Sequence, residues 1–210
     1  RADEVLVRMV ACGVCHTDMA VRDQHVPVPL PAILGHEGAG IVEAIGSGVT
    51  HVKPGDRVIM SFDSCGHCPS CEIEKPTYCY NFFPHNWIGT RADGSPTAFQ
   101  GDAPVNANFF GQSSFATYAI GHASNVARVP DSAAHVPLET LAPLGCGLMT
   151  GAGAVLRRMA GRKGLAVGVV GAGRDADVHR PARPLRHGPV RRHGGGVAGG
   201  VRGGGGRDGV

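Results

Sequence analysis

Residues 65–79 read CGHCPSCEIEKPTYC and place four cysteines, Cys65, Cys68, Cys71 and Cys79, at the spacing C-x2-C-x2-C-x7-C. Each short step is a tight turn that can aim two sulfurs at one point. The seven-residue step is a small loop that returns the fourth. Four thiolates converging on one point form the coordination shell of a closed, tetrahedral, structural zinc. The intervening residues are mainly Gly, Pro, Ser, His and charged types, so the loop buries little apolar surface, and a metal would supply the order that packing cannot. A pair of disulfides is the alternative. No secretory leader is expected, and repeated C-x2-C steps favour metal.

Three cysteines remain, Cys12, Cys15 and Cys146. Cys15 and His16 stand in GVCHTD, His36 and Glu37 in GHEGAG, and Cys146 in GCG. Cys15, His36 and Cys146 would make a Cys2His set drawn from three separated loops. Such a set leaves the fourth position of a tetrahedral zinc open to water or substrate, which distinguishes a catalytic site from a structural one. Taken singly each fragment is a weak signal, since a lone GHE is more often a loop with a solvated histidine. The combination in a chain that also carries the four-cysteine loop is much stronger.

The elements that must position these residues are short strands. Residues 4–14 (EVLVRMVACGV) alternate with period two and predict a half-buried strand ended by Gly13. Thr17 or Asp18 can cap a short helix running toward Arg22. Pro27, Pro29 and Pro31 make an extended loop. Residues 38–45 (GAGIVEAI) predict a second strand, PGD at 54–56 a turn, and RVIM at 57–60 a third strand. Residues 81–112 read as irregular. SFATYAI at 114–120 and NVARV at 125–129 predict two more strands. From 137 to 159 the spacing of Leu138, Leu141, Leu144 and Leu148 changes to that of helices.

GVCHTD, GHEGAGIVEAIGSGV, KPGDRV, CGHCPSC…C and GCGLMTGAGAV occur in that order over residues 4–173. Together they resemble the zinc-dependent medium-chain alcohol dehydrogenases. RDQHVPVPLP, FFGQSSFATYA and APLGCGLMTGAGAVL are similar to the aryl-alcohol (benzyl-alcohol) dehydrogenases within that family. The resemblance implies two zinc ions per chain, one catalytic on Cys15, His36 and Cys146, and one structural on Cys65, Cys68, Cys71 and Cys79. It implies NAD as cofactor and oxidation of an aromatic or allylic primary alcohol to the aldehyde, with hydride passing from carbon to the nicotinamide ring. Asp18 would orient His36, and Glu37 would lie behind the metal. Thr17 would hydrogen-bond the alcohol and pass its proton toward the cofactor ribose. His16 would meet the cofactor pyrophosphate, and Thr150 would pack near the nicotinamide. A histidine three residues after the threonine extends the relay in some members; here that position is Ala20. Phe82, Phe83, Trp87 and Phe109 are candidates for either an apolar substrate pocket or plain packing. Cys12 reads as a small buried hydrophobe. A non-catalytic zinc-binding fragment and a glutathione-dependent formaldehyde dehydrogenase are the alternative functions.

The implied fold is a mostly β, GroES-like catalytic domain with a few helices over 1–150. It is followed by the start of an incomplete Rossmann α/β domain over 151–173. There Gly171, Gly173 and Ala176 fit G-x-G-x-x-A after a strand-like run. Pro181, Pro184 and Pro189 would break the helix that should follow. Residues 168–210 hold fourteen Gly and eight Arg but no Lys, Glu, Ser, Thr or aromatic residue. Residues 174–210 are therefore expected to be a disordered tail, and a shifted reading frame near 165–175 is its expected origin. The net charge of +3 belongs to that tail, because residues 1–167 alone are slightly acidic. The ordered part gives no electrostatic reason to expect nucleic acid. No stretch suits a membrane span, and reduced, metal-binding cysteines suggest the cytoplasm. The intact family member is expected to be a homo-oligomer. Arg1 is not a natural start, so preceding residues are expected in the native protein.

Overall fold

The computed structural model describes residues 1–158. Its centre is a five-stranded antiparallel sheet in the order β6-β1-β2-β3-β7, built from β1 (Glu4–Gly13), β2 (Glu37–Ile45), β3 (Arg57–Met60), β6 (Tyr118–His122) and β7 (Val126–Arg128). A separate hairpin joins β4 (Ala98–Gln100) to β5 (Ala103–Val105). The helices are short: α1 (His16–Arg22), α2 (Pro69–Glu72), α3 (Phe82–Asn86), α4 (Leu138–Leu141) and α5 (Gly147–Gly153).

Both faces of the sheet are covered. Val5, Val7, Val42, Val49, Val52, Val58, Met60, Ala119 and Val126 form one core cluster. Ala39, Val129, Leu138, Leu141 and Ala142 form a second, which seats α4 on the sheet. The β-branched valines suit a pleated, packed surface, and each fully buried one contributes about 1.5–3 kcal/mol of transfer free energy. A third cluster, Val21, Val28 and Phe109, fastens α1 to the loops beside it.

Register explains how distant residues meet. Gly13 at the end of β1 pairs with Glu37 at the start of β2, and Ala39 pairs with Ile59 near the end of β3. The loop carrying Cys15, the loop carrying His36 and the exit of β3 therefore share one end of the sheet. After α4 the chain returns to that end through a 3-10 turn, Ala142–Gly145, which delivers Cys146.

Several expectations need correction. The period-two pattern of β1 breaks after Met9, where the register shift between Met9 and Ala11 skips Val10, which is exposed. The helix is capped at Cys15 rather than at Thr17 or Asp18, so it starts two or three residues earlier than expected and Asp18 sits in its first turn. Residues 81–112 are not wholly irregular, since they contain α3, β4 and β5. The strand expected at 114–120 begins only at Tyr118, because Ser113 and Ser114 are buried in polar contacts with Ile33 and Gln112. The Leu periodicity after 137 yields two short helices separated by the 3-10 turn, where Pro143 lacks the amide that a continuous helix requires. The expected Rossmann strand and turn, with Gly171, Gly173 and Ala176, and the tail at 174–210 lie outside the described residues.

Candidate metal centres and active site

The Sγ atoms of Cys15 and Cys146 and a ring nitrogen of His36 all lie within 4.8 Å of one another. The two sulfurs are 4.0 Å apart. Tetrahedral zinc with Zn–S bonds near 2.3 Å requires an S···S edge of about 3.8 Å, whereas a disulfide requires about 2.05 Å. None of the seven cysteines is bridged.

His36 is 1% exposed, and its Nδ1 stands 3.1 Å from Asp18 Oδ1. An ionised carboxylate can only accept, so Nδ1 carries the proton. In the neutral ring that metal binding requires, the lone pair is left on Nε2, which is buried with no hydrogen-bond partner of normal geometry. An orphaned, buried imidazole nitrogen beside two sulfurs is a metal-ligand arrangement, with Asp18 fixing the tautomer. Asp18 also accepts from the backbone N–H groups of Gly35 (3.0 Å) and Cys15 (3.0 Å), so one buried carboxylate ties two ligand loops together.

The electrostatics fit the same donor set. The Cys15 thiol is drawn down to about 3 by hydrogen bonding with Cys146 and His36. Cys146 is pushed far up by its contact with the Cys15 sulfur, by burial, and by the charges of Cys15, Glu37 and Asp18. Burial would lower His36, but Asp18 and Cys15 outweigh it and raise the ring to about 9. Two sulfurs this close cannot both ionise unaided, and a divalent cation between them removes that conflict.

The arm bearing Cys146 is held tightly. Ser61 Oγ donates to the Gly145 carbonyl at 2.7 Å. A Cβ on Gly145 would collide with the Met60 carbonyl, so only glycine lets the arm approach the end of β3. Glu37 is fully buried, and its Oε1 accepts from Gly147 N at 3.3 Å. Thr150 is exposed and donates to the Cys146 carbonyl at 2.9 Å. Thr17 Oγ1 lies 3.6 Å from Cys15 Sγ, and His16 is exposed at the start of α1.

The four cysteines of the 65–79 loop also converge within 4.8 Å of one another. Cys65 and Cys71 are 4.0 Å apart and Cys68 and Cys71 3.6 Å, again near a tetrahedral edge. Cys65 N–H donates to Cys79 Sγ, and Tyr80 N–H donates to Cys68 Sγ, as thiolates require. Just before the loop, buried Asp63 accepts from Ser124 Oγ (2.5 Å) and Ser64 N (2.7 Å) and bonds His85 Nδ1 (2.8 Å), with His122 Nδ1 at 3.4 Å. Burial alone would raise the Asp63 carboxyl, yet His122, His85 and Ser124 hold it well below the usual carboxylate range.

Of the aromatic candidates, Phe109 is fully buried and meets His36 edge-on at 5.5 Å, so it is packing. Phe83 is exposed. Phe110, which the sequence did not single out, stacks on the His36 ring at 4.6 Å and also meets Phe82 and Trp87. Asp63, Ser61 and Gln112 were likewise missed. Cys12 is half-buried rather than buried, and it belongs to neither convergent group.

Residues 1–131 match the family described as alcohol dehydrogenase GroES-like domain. The chain belongs to the zinc-type medium-chain alcohol dehydrogenases. It is 51% identical over 160 residues to a probable alcohol dehydrogenase of a Pseudomonas species, covering 76% of this chain and 50% of that one. It is 47% identical over 174 residues to a geraniol dehydrogenase of Castellaniella defragrans, covering 82% and 46%. The crystal structure of benzyl alcohol dehydrogenase from Acinetobacter calcoaceticus is 49% identical and superposes with a TM-score of 0.67, covering 75% of this chain and 41% of that one. The chain thus spans about half the length of the curated relatives it matches. Among its described residues no helix is long and apolar enough to cross a membrane.

Proposed function

We propose that the protein acts in zinc- and NAD-dependent oxidation of an aromatic or allylic primary alcohol to the aldehyde. The observation that carries this reading is the convergence of Cys15, His36 and Cys146 around one orphaned buried nitrogen. Three ligands leave one position for an alcohol oxygen. The substrate class rests on the relatives, whose names include benzyl alcohol and geraniol dehydrogenases.

When bound, zinc supplies a Lewis acid that lowers the pKa of an alcohol oxygen. The protein's own residues do the rest. Asp18 holds the His36 ring in the tautomer that presents Nε2. Glu37 and Ser61 fasten the backbone on either side of Cys146. Phe110 covers one face of His36 and shields the site from water. Thr17 is half-exposed beside Cys15 and takes the alcohol proton in a hydrogen bond. With Ala20 in the next relay position, the chain offers no histidine beyond Thr17, and a bound cofactor's ribose or solvent would be the next proton acceptor. His16, Thr150 and the glycines Gly171 and Gly173 complete the proposed cofactor contacts. Cys65, Cys68, Cys71 and Cys79 would hold a second, structural zinc.

The test combines metal analysis with NADH formation. Zinc content is measured in the chain and in C146S, and benzyl alcohol, geraniol and formaldehyde with glutathione are offered with NAD. NADH from benzyl alcohol or geraniol, abolished in C146S, is the expected result. Activity only with formaldehyde and glutathione would move the substrate class. Bound zinc with no NADH from any alcohol would leave a non-catalytic zinc-binding protein, the second reading favoured by the half-length match.

A further inference from the structure

Gln112 is 1% exposed and uses every hydrogen-bonding position of its amide. Its Nε2 donates to the His36 carbonyl at 3.0 Å and to the Ser61 carbonyl at 2.8 Å. Its Oε1 accepts from Gly38 N at 3.1 Å and from Ser114 Oγ at 2.5 Å. A primary amide offers two donors and one two-fold acceptor, so none is left over. The four partners lie on three parts of the chain, one of them Gln112's own turn. His36 and Gly38 flank Glu37 on the arm that carries the imidazole. Ser61 is the residue whose hydroxyl holds Gly145, next to Cys146. One side chain therefore spans the His36 arm and the support of the Cys146 arm.

The backbone around Gln112 is contorted to put it there. Phe110 (φ +52°) and Ser113 (φ +49°) are both left-handed, as is Gly111 (φ +66°). A non-glycine residue in that region costs on the order of 1 kcal/mol and persists only where the surroundings enforce it. Here the turn has two products: it lays the Phe110 ring on His36 and drives the Gln112 amide beneath the His36 peptide. Gly38 is matched to this arrangement, because a Cβ there would lie 2.8 Å from Gln112 Oε1.

We propose that Gln112 is the positioning residue that fixes the His36 arm relative to the Cys146 arm, and so sets the affinity and geometry of the three-ligand metal site. It touches neither metal nor substrate and acts through the two backbones it bonds. The inference rests on the reading of Cys15, His36 and Cys146 as metal ligands. Buried networks of this kind are cooperative, so losing part of one costs more than a single bond. Removing an outer partner of a metal ligand lowers metal affinity by about 10–100-fold.

The test uses the full 210-residue chain loaded with Co(II), whose visible absorption reports ligand geometry. Two variants are made. Q112E keeps the shape and the acceptor but loses both donors, and Q112M loses all four bonds at similar volume. H36N serves as the reference for loss of the three-ligand site. The four-cysteine site in the same molecule is the folding control. We expect both variants to retain thiolate–cobalt absorption from the four-cysteine site. In the three-ligand site the cobalt bands should shift and weaken, with Co(II) and Zn(II) affinity reduced about 10–100-fold in chelator competition. Affinity and spectrum equal to wild type in Q112E would overturn the proposal, and Q112E decides the matter if Q112M does not fold. Equal stoichiometry and spectra in H36N and wild type would instead refute the metal reading itself.

Discussion

Replacing Asp18 by Asn tests the central physical argument, because it changes one atom in a buried carboxylate with three partners. Oδ1 receives Gly35 N–H and His36 Nδ1–H, and Oδ2 receives Cys15 N–H. If the asparagine oxygen takes the Oδ1 place, two bonds survive in neutral form, and the amide NH2 then faces the Cys15 N–H, donor against donor. A bond to a charged acceptor is worth about 1.5–3 kcal/mol, and a buried donor left unsatisfied costs about 1–3 kcal/mol. The surviving pair loses its charge assistance. Allowing for relaxation, D18N should destabilise the metal-free domain by about 2–4 kcal/mol. The His36 ring would also lose the anion that fixes its tautomer, so zinc affinity should fall a further 10–100-fold, which is about 1.4–2.7 kcal/mol. Urea unfolding of apo protein reads the first number, and chelator competition reads the second. Unfolding free energy within about 0.5 kcal/mol of wild type, together with unchanged zinc affinity, would refute the assignment of Asp18 as the tie between the Cys15 and His36 loops.

C79S should lower zinc content by one equivalent and open residues 65–79 to proteolysis while the sheet's circular dichroism persists, since Cys68 and Cys79 are the buried residues of that loop. G145A should cost about 1–3 kcal/mol by overpacking against the Met60 carbonyl and should loosen metal only at the three-ligand site, as read by the cobalt spectrum. The Asp63 cluster should give a pH signature. His85 and His122 are both raised by hydrogen bonds with Asp63, so their contribution is complete below the ordinary imidazole value and fades as pH rises through the raised one. Asp63 is lowered, so its contribution is present above the ordinary carboxylate value and lost as pH falls through the folded one. Stability from the cluster should therefore peak at about pH 4–6.5 and decline above it, and the H85Q/H122Q double variant should flatten that alkaline decline in urea midpoints measured across pH.

The cysteines and the histidine that converge in two groups were legible in the sequence because their signal is local. A C-x2-C-x2-C-x7-C loop announces itself by residue type and spacing, and the single weak signals of Cys15, His36 and Cys146 gain weight beside it. The strands β1, β2 and β3 were legible for the same reason, since period-two apolar patterning and the PGD turn are short-range features. What could not be read is whatever depends on register. The pairing of Gly13 with Glu37 decides that Cys15 and His36 share one end of the sheet, and nothing within either segment states it. Gln112 shows the limit most clearly. In FFGQSS it is an unremarkable polar residue in a stretch that reads as irregular, and only the folded chain reveals that all four of its bonds reach across 51 to 76 residues or to its own turn. The same holds for Phe110, whose left-handed backbone has no glycine or asparagine to advertise it. The ligands could be found by type because their chemistry admits few substitutes. The residues that aim them are found by geometry, because a buried amide or a stacked ring gains its role from where the backbone puts it. Substitutions at Gln112 should therefore alter metal geometry although no sequence motif marks that position.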